Sequence, residues 1–141
     1  EFHYHIYLSH NLMFFYPLML FASFPTPLRR VIFKALGAKM GLNSYSSGMI
    51  FDPSLVEIGD HSVCGYNSVL IPHQIEGDYL AHDRIVIGNH VTVGAHAIVM
   101  SGCRLEDGSA LAAGAVLPKK TVLPAGEVWG GVPARPIKSG T

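Results

Sequence analysis

The sequence predicts an all-β chain, a hexapeptide-repeat solenoid of parallel strands preceded by a helical segment. Three observations carry this. From Ile87 every sixth residue is aliphatic, through Val93, Val99, Leu105, Leu111, Leu117 and Leu123, and Trp129 closes the run. Four residues behind runs a second track of small or β-branched residues: Val91, Ala97, Cys103, Ser109, Ala115 and Thr121. The frame then slips once, because Leu70 and Ile87 stand seventeen residues apart.

A period of six fits neither a helix, at 3.6, nor an ordinary amphipathic strand, at 2. It fits a short strand and a tight turn, repeated, with both tracks pointing inward. The two residues after each aliphatic one make the corner. Gly59, Gly65, Gly88 and Gly94 sit there and are read as supplying backbone freedom. Three units make a triangular turn of about eighteen residues, and turns stack at the strand spacing of roughly 4.8 Å. The frame extends backwards through Ile58, Cys64 and Leu70, with Ser62 and Ser68 on the small track and Met40-Gly41 one turn earlier. The slip predicts an inserted loop over about 72–85.

The chain therefore divides into an apolar N-terminal segment over 1–39, a coil over 40–128 and a tail over 129–141. Leu12 to Phe24 is strongly apolar, contains Pro17 and is too short to span a bilayer. It lacks the basic flank and cleavage site of a signal peptide. It reads first as a helix packed on the stack or on a neighbouring subunit, and second as a peripheral membrane element. A start at Glu1 fits a fragment of a larger protein. A helix is expected over about 27–36, with Thr26 as N-cap, Pro27 at the first position and Gly37 as the stop. Its apolar stripe is Leu28, Val31, Ile32, Ala35 and Leu36, with Arg29, Arg30 and Lys34 turned away. It should cover the first coil's edges, and Gly126 to Lys138 should leave the coil at the other end.

Formal net charge is zero over 141 residues and 14% are charged, so there is no basic stripe for nucleic acid. High apolar content points to a subunit interface. Cys64 and Cys103 fall on inward tracks and read as reduced core residues of a cytoplasmic protein.

Eight histidines are present, and histidine suits a general base near neutral pH. His3, His5 and His10 lie outside the repeats. His61, His90 and His96 fall three places after an aliphatic residue and point outward, His90 stacking above His61. His73 stands at the mouth of the inserted loop, in Ile71-Pro-His-Gln-Ile-Glu76, and His82 lies later in the same loop.

The repeats resemble the left-handed parallel β-helix of the hexapeptide-repeat acyltransferase superfamily over about residues 36–138. The ending Trp129-Gly-Gly-Val-Pro-Ala-Arg-Pro-Ile-Lys138 is similar to that of the bacterial acetyltransferase branch. The lead-in from Leu28-Arg-Arg to Leu36-Gly-Ala-Lys-Met-Gly41 is similar to that of sugar- and secondary-metabolite-modifying members. The left-handed winding comes from the resemblance, against the general crossover rule. The resemblance further implies a homotrimer, acyl-coenzyme A (most simply acetyl-coenzyme A) in a groove between two subunits, and direct transfer to a hydroxyl or amine of a small acceptor. It implies neither a metal nor a covalent enzyme intermediate.

On that footing His73 is the candidate base, with His82 in reserve. Glu76, Asp78 or Asp60 would orient its other ring nitrogen, Glu76 being the acid put forward. Gly94, Ala95, Ala112, Ala113 and Gly114 offer a backbone edge for the pantetheine arm, although corners need small residues anyway. Lys119, Lys120, Arg135 and Lys138 could pair with phosphates, or could be solvated; Trp129 reads as a core cap. Two rivals remain: a non-catalytic trimerisation domain of a membrane-associated protein, and a zinc enzyme of the γ-carbonic anhydrase kind, which needs three converging imidazoles.

Overall fold

The computed structural model describes Ile6 and residues 25–137. The apolar stretch Leu12 to Phe24 lies outside the described residues, as do His3, His5, His10 and Lys138. Among the described residues, no helix is long and apolar enough to cross a membrane.

Short strands stack into three parallel sheets, the faces of a triangular prism. The first holds Lys39–Met40, Val56–Ile58, Ile85–Ile87, Arg104–Leu105 and Val122–Leu123. The second holds Tyr45–Ser46, Val63–Cys64, Thr92–Val93, Ala110–Leu111 and Val128–Gly130, with Arg135–Pro136 added antiparallel on its last strand. The third holds Met49–Ile50, Val69–Leu70, Ile98–Val99 and Val116–Leu117. Partners are eighteen residues apart where the coil is uninterrupted, as Leu105 and Leu123. Across the insertion they are twenty-nine apart, as Ile58 and Ile87.

Both tracks point inward. Val93, Val99, Leu105, Leu111, Leu117 and Leu123 are buried, and so are Val91, Ala97, Cys103, Ser109 and Ala115. Leu105 sits between Ile87 and Leu123 in the first sheet, with no room to collapse. Leu105→Ala is therefore expected to cost about 2–5 kcal/mol, read as a lower denaturant midpoint at unchanged slope. A cost below about 1 kcal/mol would mean the coils can close around the missing side chain.

The corners correct one expectation. Gly59, Gly65, Gly88 and Gly94 are absent from the positive-φ positions, which come two residues later, at His61, Asn67, His90 and His96, and also at Asn43, Lys120 and several glycines. Glycine is needed where coils touch: a Cβ on Gly59 would lie 2.7 Å from the Gly88 carbonyl carbon. Beside it runs a side-chain ladder. Asp60 accepts from the Leu42 amide at 2.8 Å, Asn89 from the Asp60 amide at 2.7 Å, and Asp107 from the Asn89 amide at 2.8 Å. The αL histidines His61 and His90 stack on this corner, ring centroids 5.0 Å apart.

The helix is Thr26–Ala35, starting one residue earlier than expected, with Pro25 at the N-cap and Pro27 in its first turn. Its buried face also differs from the expected stripe. Arg29 and Phe33, one helical turn apart, face the coil, while Leu28 and Val31 are exposed. Burial pushes the Arg29 pKa down and the Tyr66 phenol opposes this. Arg30 is also engaged: its guanidinium donates to the carbonyls of Ser44 at 3.0 Å and Gly41 at 2.6 Å. Burial of Arg29 and the backbone-directed Arg30 override simple apolar periodicity here.

The inserted loop is an antiparallel hairpin, His73–Glu76 with Tyr79–His82. It turns at Gly77, φ 58°, and Asp78. A Gly-Asp pair between Ile75 and Leu80 is a two-residue hairpin signal.

Candidate active site

The hairpin leaves the prism at the corner between the third and first sheets, and His73 is its first residue. The His73 ring is held on two sides. Nδ1 lies 2.5 Å from Oδ2 of Asp52, and Phe51 meets the ring edge-on at 6.0 Å between centroids. The Asp52 side chain is 1% exposed and that of His73 33% exposed. A carboxylate can only accept, so Nδ1 carries the proton, and in the neutral ring Nε2 keeps its lone pair. A half-exposed imidazole whose outer nitrogen can take a proton, backed by a buried acid, is suited to base chemistry.

Glu76 is in an ion pair with Lys119, and the acid in contact with Nδ1 of His73 is Asp52. Asp60 belongs to the ladder on another corner. His82 is opposite His73 in the hairpin register and exposed. Gln74 accepts from the buried Ser101 hydroxyl at 3.0 Å, and Asp83 lies 4.0 Å from Lys120.

Sequence reasoning missed Asp52 for a definite reason. Counting in sixes from Met40 gives Ser46, Asp52 and Ile58, which puts an acid on the aliphatic track. The chain resolves this by sending Ile50 inward, in register with Leu70, and turning Asp52 into the corner at φ 45°. An acid on the frame, one coil before the slip, was the available signal.

The other proposed ligand-binding residues do not gather around His73 within one chain. Gly94, Ala95, Ala112, Ala113 and Gly114 form the corner between the second and third sheets, where Gly94 and Ala112 touch: a Cβ on Gly94 would lie 2.7 Å from the Ala112 carbonyl carbon. Lys119 and Lys120 share the corner of His73. Arg135 is on the antiparallel strand, its guanidinium donating to the Ala134 carbonyl at 3.0 Å. Trp129 pairs with Leu111 in register and packs against the core.

The remaining histidines are spread out, with His61 and His90 on one corner and His96 against Tyr66 on another. Among the described residues no three His, Cys, Asp or Glu gather as a metal would require. Both cysteines are buried and unpaired. Burial raises the Cys64 thiol to about 12 and pushes the Cys103 thiol up, so neither is a nucleophile near neutral pH.

Residues 84–119 match the family model described as bacterial transferase hexapeptide (six repeats). No curated protein matches the chain by sequence. Among solved structures, a hexapeptide-repeat-containing acetyltransferase from Vibrio cholerae is similar at TM-score 0.65 and 21% identity, over 83% of this chain and 82% of that one. The same enzyme complexed with acetyl-coenzyme A gives 0.67 and 20%, over 80% and 76%. A maltose O-acetyltransferase from Clostridium difficile 630 gives 0.66 and 21%, over 93% and 87%. The chain thus carries the bacterial transferase hexapeptide repeat and has the left-handed parallel β-helix fold of the hexapeptide-repeat acetyltransferases.

Proposed function

We propose that the protein is an acyl-coenzyme-A-dependent acyltransferase, with acetyl-coenzyme A as the simplest donor and a small hydroxyl- or amine-bearing acceptor. The observation that carries this is the His73–Asp52 pair at the one place where the coil opens into a hairpin. Nε2 of His73 removes the proton from the acceptor as its oxygen or nitrogen attacks the thioester carbonyl carbon. The tetrahedral intermediate then collapses, the carbon–sulfur bond breaks, and the coenzyme A sulfur leaves with a proton returned from His73. Asp52 holds the tautomer throughout and is not itself consumed.

The similar Vibrio cholerae enzyme was solved with acetyl-coenzyme A, which supports this donor. The separation of the small-residue corner from the His73 corner supports a homotrimer. A groove between two copies brings one copy's Gly94–Ala95 and Ala112–Gly114 edge beside the other's His73. The outward face of the second sheet exposes Tyr45, Val63 and Val128, which suits burial between subunits. Within such a groove Lys119, Lys120 and Arg135 are the candidate phosphate partners, Lys119 only by exchanging Glu76 for the ligand; Lys138 lies outside the described residues. Among the described residues the imidazoles of one chain lie on three different corners, so the zinc reading would need ligands from different copies, and stoichiometric metal in the purified protein would favour it.

Titration calorimetry with acetyl-coenzyme A, with free coenzyme A as competitor, tests the donor, and thiol release across a panel of small alcohols and amines tests the transfer. Saturable, competed binding with acceptor-dependent thiol release is the expected result. Absence of binding would leave the repeats a purely structural, trimer-forming role.

A further inference from the structure

We propose that Ser101 is a positioning residue for His73, acting through Gln74; the catalytic part of this rests on the acyl-transfer reading above. The registers Ile50 with Leu70, Leu70 with Val99 and Val99 with Leu117 place Asp52, Pro72, Ser101 and Lys119 at one corner on four successive coils. Each stands two residues after its inward aliphatic partner. The three polar members of this column each hold a residue of the same strand. Asp52 holds His73, Ser101 holds Gln74 and Lys119 holds Glu76. The strand His73–Glu76 therefore climbs the edge of the stack, held from below by Asp52 and then by Ser101 and Lys119 on the two coils above.

The three grips differ in strength. The Lys119–Glu76 pair is half exposed on both sides, and such pairs contribute little. Ser101 is 1% exposed, and its hydroxyl donates to the Gln74 amide oxygen at 3.0 Å. A buried hydroxyl cannot exchange its partner for water without loss. Asp52 fixes Nδ1 and Phe51 meets the ring edge, but neither holds the backbone that carries the ring. Pinning the next residue to the coil above holds that backbone and so sets where Nε2 points. Acceptor attack needs the base within hydrogen-bond reach, and small misplacements there are costly.

Ser101→Ala, Gln74→Ala, the double variant and Ser101→Thr test this in the full chain. Each single alanine variant is expected to lower kcat roughly five- to tenfold, with KM for acetyl-coenzyme A unchanged. The double variant should be no worse than either single one, and Ser101→Thr should keep most activity. In parallel, the ¹⁵N resonances of the His73 ring should shift in Ser101→Ala and Gln74→Ala, with or without substrate. Unaltered ring resonances in both variants overturn the proposal, whatever the activity. So does a double variant whose losses multiply, or an activity loss accompanied only by a lower melting temperature. A wild-type protein that transfers no acyl group sinks the functional reading instead, while the ring resonances still decide whether Ser101 positions His73.

Discussion

His73→Ala is expected to lower kcat by about 10²–10⁴, the usual contribution of a positioned general base, while leaving acetyl-coenzyme A affinity unchanged. Truncating an imidazole that is 33% exposed disturbs little packing, so the fold should persist and the loss should fall on the chemical step. A variant that weakens KM but spares kcat would instead make His73 a binding residue. Steady-state kinetics beside calorimetry separates the two. Wild-type turnover in His73→Ala removes the residue from the base role, and His82 then becomes the histidine to test.

Asp52→Asn carries the second large effect, and this position makes it an unusually clean substitution. Asp52 sits in the left-handed region at φ 45°, which asparagine tolerates well, and the two side chains are nearly the same size. The backbone and the corner are thus preserved while the charge is lost. What changes is the chemistry at Nδ1. The amide can donate as well as accept, so the tautomer with its proton on Nε2 becomes available, and that form cannot take a proton from an acceptor. A loss of roughly 10²-fold in kcat is expected, with donor affinity and melting temperature little altered. A fully active Asp52→Asn enzyme would mean that backbone geometry alone orients His73.

The fold was legible because the repeat is a packing requirement repeated at each coil: one aliphatic and one small side chain must fill a triangular interior of fixed size. Leu105, Leu111 and Leu117 could be placed without a structure for that reason. The slip between Leu70 and Ile87 marks where the hairpin leaves the coil. Less legible was anything set by contacts between coils. Gly59 and Gly88 look like flexible corners in sequence, whereas their role is close approach. Helical spacing puts Arg29 outside, and it is buried. Asp52 and His73 are twenty-one residues apart in sequence, and only the irregular first coil, with Ile50 replacing position 52 on the inner track, brings them together. Spacing cannot reveal that Glu76 belongs to Lys119, because the strand's direction along the stack decides it.

The residues after Trp129 do more than end the repeats. Arg135–Pro136 pairs antiparallel with the last strand of the second sheet, and Val116 in the third exchanges hydrogen bonds with Gly131 and Ala134. Two of the three strand edges at this end of the stack are therefore already occupied, one of them by a proline that has no amide to offer. A parallel stack with open ends is a template on which another copy could grow in register without limit. By covering two of those edges this short return segment disfavours growth along the axis, where association would build a fibre, and leaves the sides of the prism, where the candidate site lies, untouched.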